Sequence, residues 1–258
     1  MVYNILDVDY NCDLAQSYGI FENDKEAQVL KYMSSAAISC GFHCADPVKI
    51  KKAFELCKEY NIAVGANISF PDVQGFGNRQ MNLSQEEIEA IVIYQLGALQ
   101  SFANVYKTEI EFVRPHGAMW EMAAKDFEFS KNVANAIKKV SEWLVYYGAS
   151  GQTLEQVEAE TNIRTAKELI LTKNYNKDLS FDNECTYIYS TEKSLNRLRK
   201  LLISSEIETS QREYVKADFD TIHFSTTNDN SVELAKGAKS VMAPKPVNYN
   251  KVVTSGWV

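Results

Sequence analysis

Histidine is scarce in this chain of 258 residues: His43, His116 and His223 are the whole supply. A centre built from many imidazoles is therefore excluded. Glycine (11) and proline (5) are also sparse, which leaves no low-complexity tract and no flexible linker cutting the chain in two. No stretch approaches the roughly 20 consecutive apolar residues of a membrane-spanning helix. Residues Met1–Asp7 lack a basic region followed by an apolar core, so no signal peptide is expected. Lys and Arg number 27 against 34 Asp and Glu, a formal charge of −7 with no long basic run, which argues against a grip on nucleic acid. The five cysteines are Cys12, Cys40, Cys44, Cys57 and Cys185. An odd number in a long chain without a secretory signal predicts reduced thiols and a cytoplasmic protein.

Familiar chemical signatures are missing too. Cys40-x3-Cys44 has no second cysteine pair, so a structural zinc site is not expected. There is no Gly-x4-Gly-Lys-Ser/Thr phosphate loop and no Gly-x-Gly-x-x-Gly turn, and Gly75-Phe76-Gly77 is too short to cradle a dinucleotide. No Gly-x-Ser-x-Gly nucleophile elbow occurs.

What is present is alternation. Short β-rich runs fall at Ile5–Tyr10, Ala36–Cys40, Ala63–Asn67, Phe112–Pro115, Trp143–Tyr147, Glu168–Leu171 and Thr221–Phe224. Helical signals lie between several of them. Asp46-Pro47 caps and opens a helix over Val48–Tyr60, with Ile50, Ala53, Phe54 and Cys57 on one face. Ser84-Gln85-Glu86-Glu87 is a capping box that starts a long helix to about Tyr106. Phe127–Val140, Ser194–Ile203 and Ser231–Met242 carry the same spacing, and Gly148–Lys193 is the least regular stretch. Seven strands alternating with helices predict an α/β fold with a parallel sheet, either closed into a barrel or open and doubly wound.

In such sheets ligands bind at the carboxyl ends of the strands. Polar residues collect there: Asn11 and Asp13 after the first strand, His43 and Asp46 after the second, Asn67 and Asp72 after the third, Arg114 and His116 after the fourth. Each also has a plain structural role open to it. Asp13 can serve as a turn or cap residue, Asp46 reads as a cap, and His43, between Phe42 and Cys44, can be a satisfied buried imidazole. His116 is harder to set aside, because Pro115 and Gly117 impose a sharp exit from the strand. His223 lies inside a strand beside Ile222 and Phe224 and reads as structural. Aspartate and histidine together suit a divalent metal or general acid–base chemistry, and spacing alone does not choose between them.

The order of these segments resembles the LamB/YcsF family, whose members are also known as the A subunit of 5-oxoprolinase. The resemblance rests on Asp9-Tyr10-Asn11-Cys12-Asp13-Leu14, Ser39-Cys40-Gly41-Phe42-His43-Cys44-Ala45-Asp46-Pro47, Val64-Gly65-Ala66-Asn67 leading to Phe70-Pro71-Asp72, Gln74-Gly75-Phe76-Gly77, and Arg114-Pro115-His116-Gly117-Ala118. It implies one (β/α) barrel domain over residues 1–258, seven-stranded and related to glycoside hydrolases and deacetylases. It also implies a part in the ATP-dependent opening of 5-oxoproline to glutamate alongside two partner subunits, with ATP entering through those partners.

On this resemblance Asp13, His43 and His116 form the catalytic set, with Asp13 and His116 at the reacting centre and His43 positioning substrate. Asn11, Asn67, Asp72 and Arg114 contact substrate. The pattern departs from the family at Gln16, where a Glu is expected, at Asn67 and Ser225, where imidazoles are expected, and at Thr172, where an Asp is expected. A divalent metal held by Asp13, His43, Asn67 and His116 would have one weak amide ligand. The departures leave two other expectations standing beside the first: a ligand-binding or regulatory homologue with impaired catalysis, and a metal-assisted amide or carbohydrate deacetylase.

Overall fold

A computed structural model of the chain describes residues 8–182, 188 and 190–246. The elements run β1 (Asp9–Leu14), α1 (Glu26–Leu30), β2 (Ser35–Ser39), α2 (Pro47–Tyr60), β3 (Ala63–Ile68), α3 (Gln85–Tyr106), β4 (Ile110–Pro115), α4 (Gly117–Lys125), α5 (Phe127–Val140), β5 (Val145–Ala149), α6 (Gln152–Thr161), β6 (Arg164–Ile170), α7 (Thr191–Ser204), β7 (Glu206–Glu208), β8 (Tyr214–Lys216), β9 (Thr221–Phe224) and α8 (Ser231–Val241). Seven strands close into a barrel in the order β1-β2-β3-β4-β5-β6-β9. All seven neighbouring pairs are parallel, and β9 closes the ring by pairing with both β6 and β1. The open doubly wound sheet is thereby ruled out. The short antiparallel pair β7–β8 stands outside the ring.

The side-chain period of two explains how the barrel sorts its residues. Along β1, Tyr10, Cys12 and Leu14 belong to the large apolar layer shared with the helices. Asp9, Asn11 and Asp13 alternate with them and point into the barrel. A separate apolar cluster of Ala37, Phe112, Val145, Tyr147 and Ala166 fills the interior. Phe112 and Tyr147 stack there at 4.1 Å between ring centroids. Gly65 permits this packing, since a Cβ on it would lie 2.3 Å from the Phe112 ring. Below, Asp9 is satisfied by hydroxyls: Ser34 (2.6 Å), Ser35 (2.8 Å), Thr221 (2.6 Å) and Tyr147 (3.3 Å) donate to it.

The helices begin where their capping chemistry dictates. The Asp46 carboxylate accepts from the Val48 and Lys49 amides, with Pro47 in the first turn. Such a cap contributes about 1 kcal/mol. Ser84 and Glu87 form the reciprocal capping box at the start of α3, and α5 spans Phe127–Val140 as the spacing predicts.

Several expectations need correction. The first strand runs Asp9–Leu14, past the expected end at Tyr10, so Asn11 and Asp13 are strand residues and not loop residues after it. Ile5–Asp7 lie outside the described residues. Asn67 and Arg114 are likewise inside β3 and β4. The fifth strand runs Val145–Ala149 rather than Trp143–Tyr147. Trp143 is 62% exposed and is covered instead by the Arg164 guanidinium, 5.1 Å from its ring. The irregular stretch contains all of α6 and β6, and no spacing in the sequence marks the short helices α1 and α4.

Candidate active site

The carboxyl ends of the strands frame a cavity of about 210 Å³. Asp13 of β1, Arg114 of β4, His116 just past β4 and His223 of β9 line it. Their convergence follows from register. Asn11 lies beside His223 across the β1–β9 pair, and Asn67 beside Arg114 across β3–β4.

Arg114 is the hub. Its Nε and Nη2 donate to the two oxygens of Glu168 (2.8 and 2.9 Å), and its Nη1 donates to Asp13 Oδ1 (3.1 Å) and the Pro115 carbonyl (3.4 Å). Asp13 Oδ1 also accepts from Asn67 Nδ2 at 2.9 Å, while Oδ2 accepts from Gln16 Nε2 at 2.9 Å. Burial by itself would raise the Asp13 carboxyl. The Arg114 guanidinium, with the imidazoles beside it, overrides that and holds it well below the usual carboxylate range.

Two imidazoles face the same oxygen. His116 Nδ1 lies 3.5 Å and His223 Nε2 3.7 Å from Asp13 Oδ2. The surrounding hydrogen bonds assign their tautomers. Asn11 Nδ2 donates to Glu168 (3.1 Å) and Thr221 (2.7 Å), so Asn11 Oδ1 must accept from His223 Nδ1 at 2.7 Å. His223 Nε2 then carries the lone pair. His116 Nε2 donates to the Phe76 carbonyl at 3.0 Å, which leaves its Nδ1 as the acceptor. Burial, reinforced by Arg114, pushes His223 down to about 4, so it is neutral at pH 7. At that pH Arg114, and not His223, therefore keeps Asp13 ionised.

The loop after β3 buttresses His116. Asp72 accepts from the Gly75 amide (2.9 Å) and from Arg79 Nε (2.8 Å), fixing the turn that carries Phe76. Gly77 adopts φ +73°, and a Cβ there would lie 2.4 Å from Ser69 Oγ and 3.0 Å from both His116 and His43. His43 stacks flat behind His116 at 4.0 Å and 12°. Its Nε2 meets Ser39 Oγ at 3.2 Å. Burial and the neighbouring His116 push its imidazole well below the ordinary value.

Past β1, the Glu26 carboxylate accepts from the amides of Gln16 and Ala15, where Ala15 has φ +61°. Opposite, Trp120 and Phe181 stack at 4.9 Å and 15° to form an apolar wall. A larger cavity of about 640 Å³ shares Trp120, Glu121 and Phe181 with the first.

The LamB/YcsF family model matches residues 8–255. The chain belongs to the LamB/YcsF family. It is 34% identical over 218 residues to the 5-oxoprolinase A subunit of Tolumonas auensis, covering 83% of this chain and 87% of that one. It is 33% identical over 232 residues to the 5-oxoprolinase A subunit of Geobacillus kaustophilus, covering 89% and 90%. Among solved structures, the lactam utilization protein from Thermus thermophilus superposes with a TM-score of 0.88 at 28% identity, covering 94% of this chain and 100% of that one.

For a LamB/YcsF protein, then, the residues singled out in the sequence divide into two groups. Asp13, Arg114 and His116 line the cavity. Asn11 and Asn67 do not line it but hydrogen-bond to His223 and Asp13, which do. His43 and Asp72 do not line it: His43 stands behind His116, and Asp72 holds a loop. His223, read from the sequence as structural, faces the cavity. Glu168 is the functional-site residue that the sequence motifs do not mark, although a charged residue within Lys167-Glu168-Leu169-Ile170 is a signal in itself, because buried charges require partners. Gln16, the amide at the expected Glu position, donates directly to Asp13, and Ser225 also lines the cavity.

Among the described residues no group of three or more His, Cys, Asp or Glu side chains is placed to hold a divalent metal, and both Asp13 oxygens are already engaged.

Proposed function

We propose that this chain is the lactam-opening A subunit of an ATP-dependent 5-oxoprolinase, converting 5-oxoproline to glutamate with partner subunits that handle ATP. The observation that carries this reading is the Asp13 carboxylate, ionised and faced by two imidazole lone pairs at 3.5 and 3.7 Å on the floor of a small cavity. The names of the relatives support it, and so does the cavity's size, which suits a ligand smaller than a drug-sized one.

Opening the ring adds water to the lactam carbonyl carbon, breaks the C–N bond and delivers a proton to the departing nitrogen. A carboxylate held far below its usual range is a weak base, so Asp13 does not itself carry the proton. His116 takes it from the attacking water, and Asp13 stabilises the imidazolium that forms, while His223, held neutral by its burial, helps to orient the group. The same imidazolium returns the proton to the nitrogen. Asn67, standing where the family carries an imidazole, preserves an N–H donor to Asp13. In this reading the protein works in the cytoplasm, in keeping with Cys12, Cys40, Cys44 and Cys57, which are buried and unpaired. No helix among the described residues is long and apolar enough to cross a membrane.

A second reading, a ligand-binding relative without turnover, draws on Asn67 and Ser225 at positions where the family pattern carries imidazole. The metal-assisted deacetylase reading has no set of ligands to rest on among the described residues. Both are separated from the first by one assay: ATP-dependent glutamate formation from 5-oxoproline by the co-expressed complex. Turnover that falls at least about 100-fold in Asp13→Asn supports the proposal. Absence of ATP-dependent turnover, or an unchanged rate in Asp13→Asn and His116→Ala, overturns it.

A further inference from the structure

Gln16 sits just past β1, is buried and lines the cavity. Its Nε2 donates to Asp13 Oδ2 at 2.9 Å, the oxygen that His116 and His223 also face. The Glu26 carboxylate holds its backbone amide. An amide side chain has one donating and one accepting end, so it must be held the right way round beside Asp13. The reverse orientation would set carbonyl lone pairs against an ionised carboxylate.

The end of Gln16 that does not face Asp13 is held by Thr226. This residue lies just past the carboxyl end of β9 and is fully buried. Its Oγ1 lies 2.8 Å from Gln16 Oε1, 3.3 Å from Asn23 Nδ2 and 3.4 Å from the Asp13 carbonyl. Asn23 Oδ1 accepts from the Lys25 amide at 3.2 Å. Its Nδ2 is therefore the end turned to Thr226, where it donates to Oγ1 and to the backbone carbonyl (3.1 Å). The Thr226 hydroxyl thus accepts from Asn23, and its single proton goes to the shorter contact, Gln16 Oε1. Every donor in the chain Asn23–Thr226–Gln16–Asp13 is assigned in this way. Lys25 Nζ ties the same two loops together, donating to the Asn228 carbonyl (3.2 Å) and to Asp229 Oδ1 (3.1 Å).

We propose that Thr226 is a positioning residue whose hydroxyl holds the Gln16 amide with its N–H end on Asp13, and so keeps Asp13 Oδ2 in place before His116. The consequence for turnover rests on the lactam reading above. The orientation of Gln16 does not, and the two are measured separately.

The first measurement needs no turnover. In protein with isotope-labelled glutamine side-chain nitrogen, the Gln16 signal is the one missing from Gln16→Met. Its protons are expected to exchange slowly with solvent in the wild type and in Thr226→Ser, and to lose that protection in Thr226→Val. In the complex, Thr226→Val is expected to lower kcat roughly 5- to 10-fold, the worth of one neutral hydrogen bond, with KM nearly unchanged. Thr226→Ser should restore the rate, and in a Gln16→Met background Thr226→Val should cost nothing further, because it acts through Gln16. Protection kept in Thr226→Val, protection lost in Thr226→Ser, or an equal loss of kcat in the Gln16→Met background overturns the assignment of Thr226 and leaves the lactam reading standing. If the exchange pattern is as expected and the wild-type complex does not turn over 5-oxoproline, the lactam reading fails and the positioning of Gln16 by Thr226 stands.

Discussion

His223 Nδ1 donates to Asn11 Oδ1 at 2.7 Å, and because Asn11 spends its amide on Glu168 and Thr221, this single contact turns the other imidazole nitrogen of His223 toward Asp13. The buried amide thus sets the tautomer of an imidazole in the floor of the cavity. Nitrogen NMR of ring-labelled protein is expected to show His223 as the Nδ1–H tautomer, with a titration midpoint near 4. A midpoint near the ordinary 6.5, or the opposite tautomer, would break this link.

Arg114 lies between two buried carboxylates, Asp13 and Glu168. Arg114→Met leaves both without their counter-charge and is expected to cost about 3–5 kcal/mol in urea unfolding. Adding Glu168→Gln to that variant should recover part of the loss, because one uncompensated charge disappears. Since Asp13 is held below its unfolded value, its stabilisation is present above the ordinary carboxylate range and is lost as pH falls through the depressed value. Arg114→Met should therefore make unfolding set in at higher pH during acidification. Equal acid midpoints in the two proteins would contradict the pairing.

Glu26 carries the opposite sign. Burial pushes it up to about 7, even though the Gln16 and Ala15 amides donate to it. A carboxyl raised in the folded state contributes stability that is complete below its unfolded value, near 4.3, and is lost as pH rises through about 7. Relative to Glu26→Gln, the wild type should lose about 3 kcal/mol between those limits. A pH-independent difference between the two proteins would show that Glu26 is not held in this state.

Gln16 donates to Asp13 Oδ2 at 2.9 Å, where the family pattern carries Glu. Gln16→Glu brings two carboxyls within hydrogen-bonding distance, so one of them must retain a proton. The expected outcome is an activity profile whose acid limb moves to higher pH than in the wild type. An unmoved limb would mean that residue 16 does not communicate with Asp13.

Much of this architecture is readable in the residues themselves, and the rest fails for identifiable reasons. The caps at Asp46 and Ser84 are local chemistry, and both helices start where those residues place them. The alternation Asp9-Tyr10-Asn11-Cys12-Asp13-Leu14 encodes a strand with a polar inner face, but the apolar residues before it obscure the boundary. The Arg114–Glu168 and Asn11–His223 pairs join residues 54 and 212 positions apart. Only barrel closure brings them together, so no local pattern reveals them. His223 shows the same limit: inside Thr221-Ile222-His223-Phe224 its period-two position is legible, but which face is the cavity follows from the whole ring.

The most direct measurement compares ATP-dependent 5-oxoproline turnover by complexes carrying His116→Asn, His223→Asn or His43→Asn. His116 and His223 present lone pairs at Asp13 Oδ2, whereas His43 stands behind His116. The first two variants are expected to lose about 100-fold or more in kcat, and His43→Asn clearly less. Full turnover by His223→Asn, a larger loss in His43→Asn than in the other two, or no turnover by the unaltered complex would contradict the account.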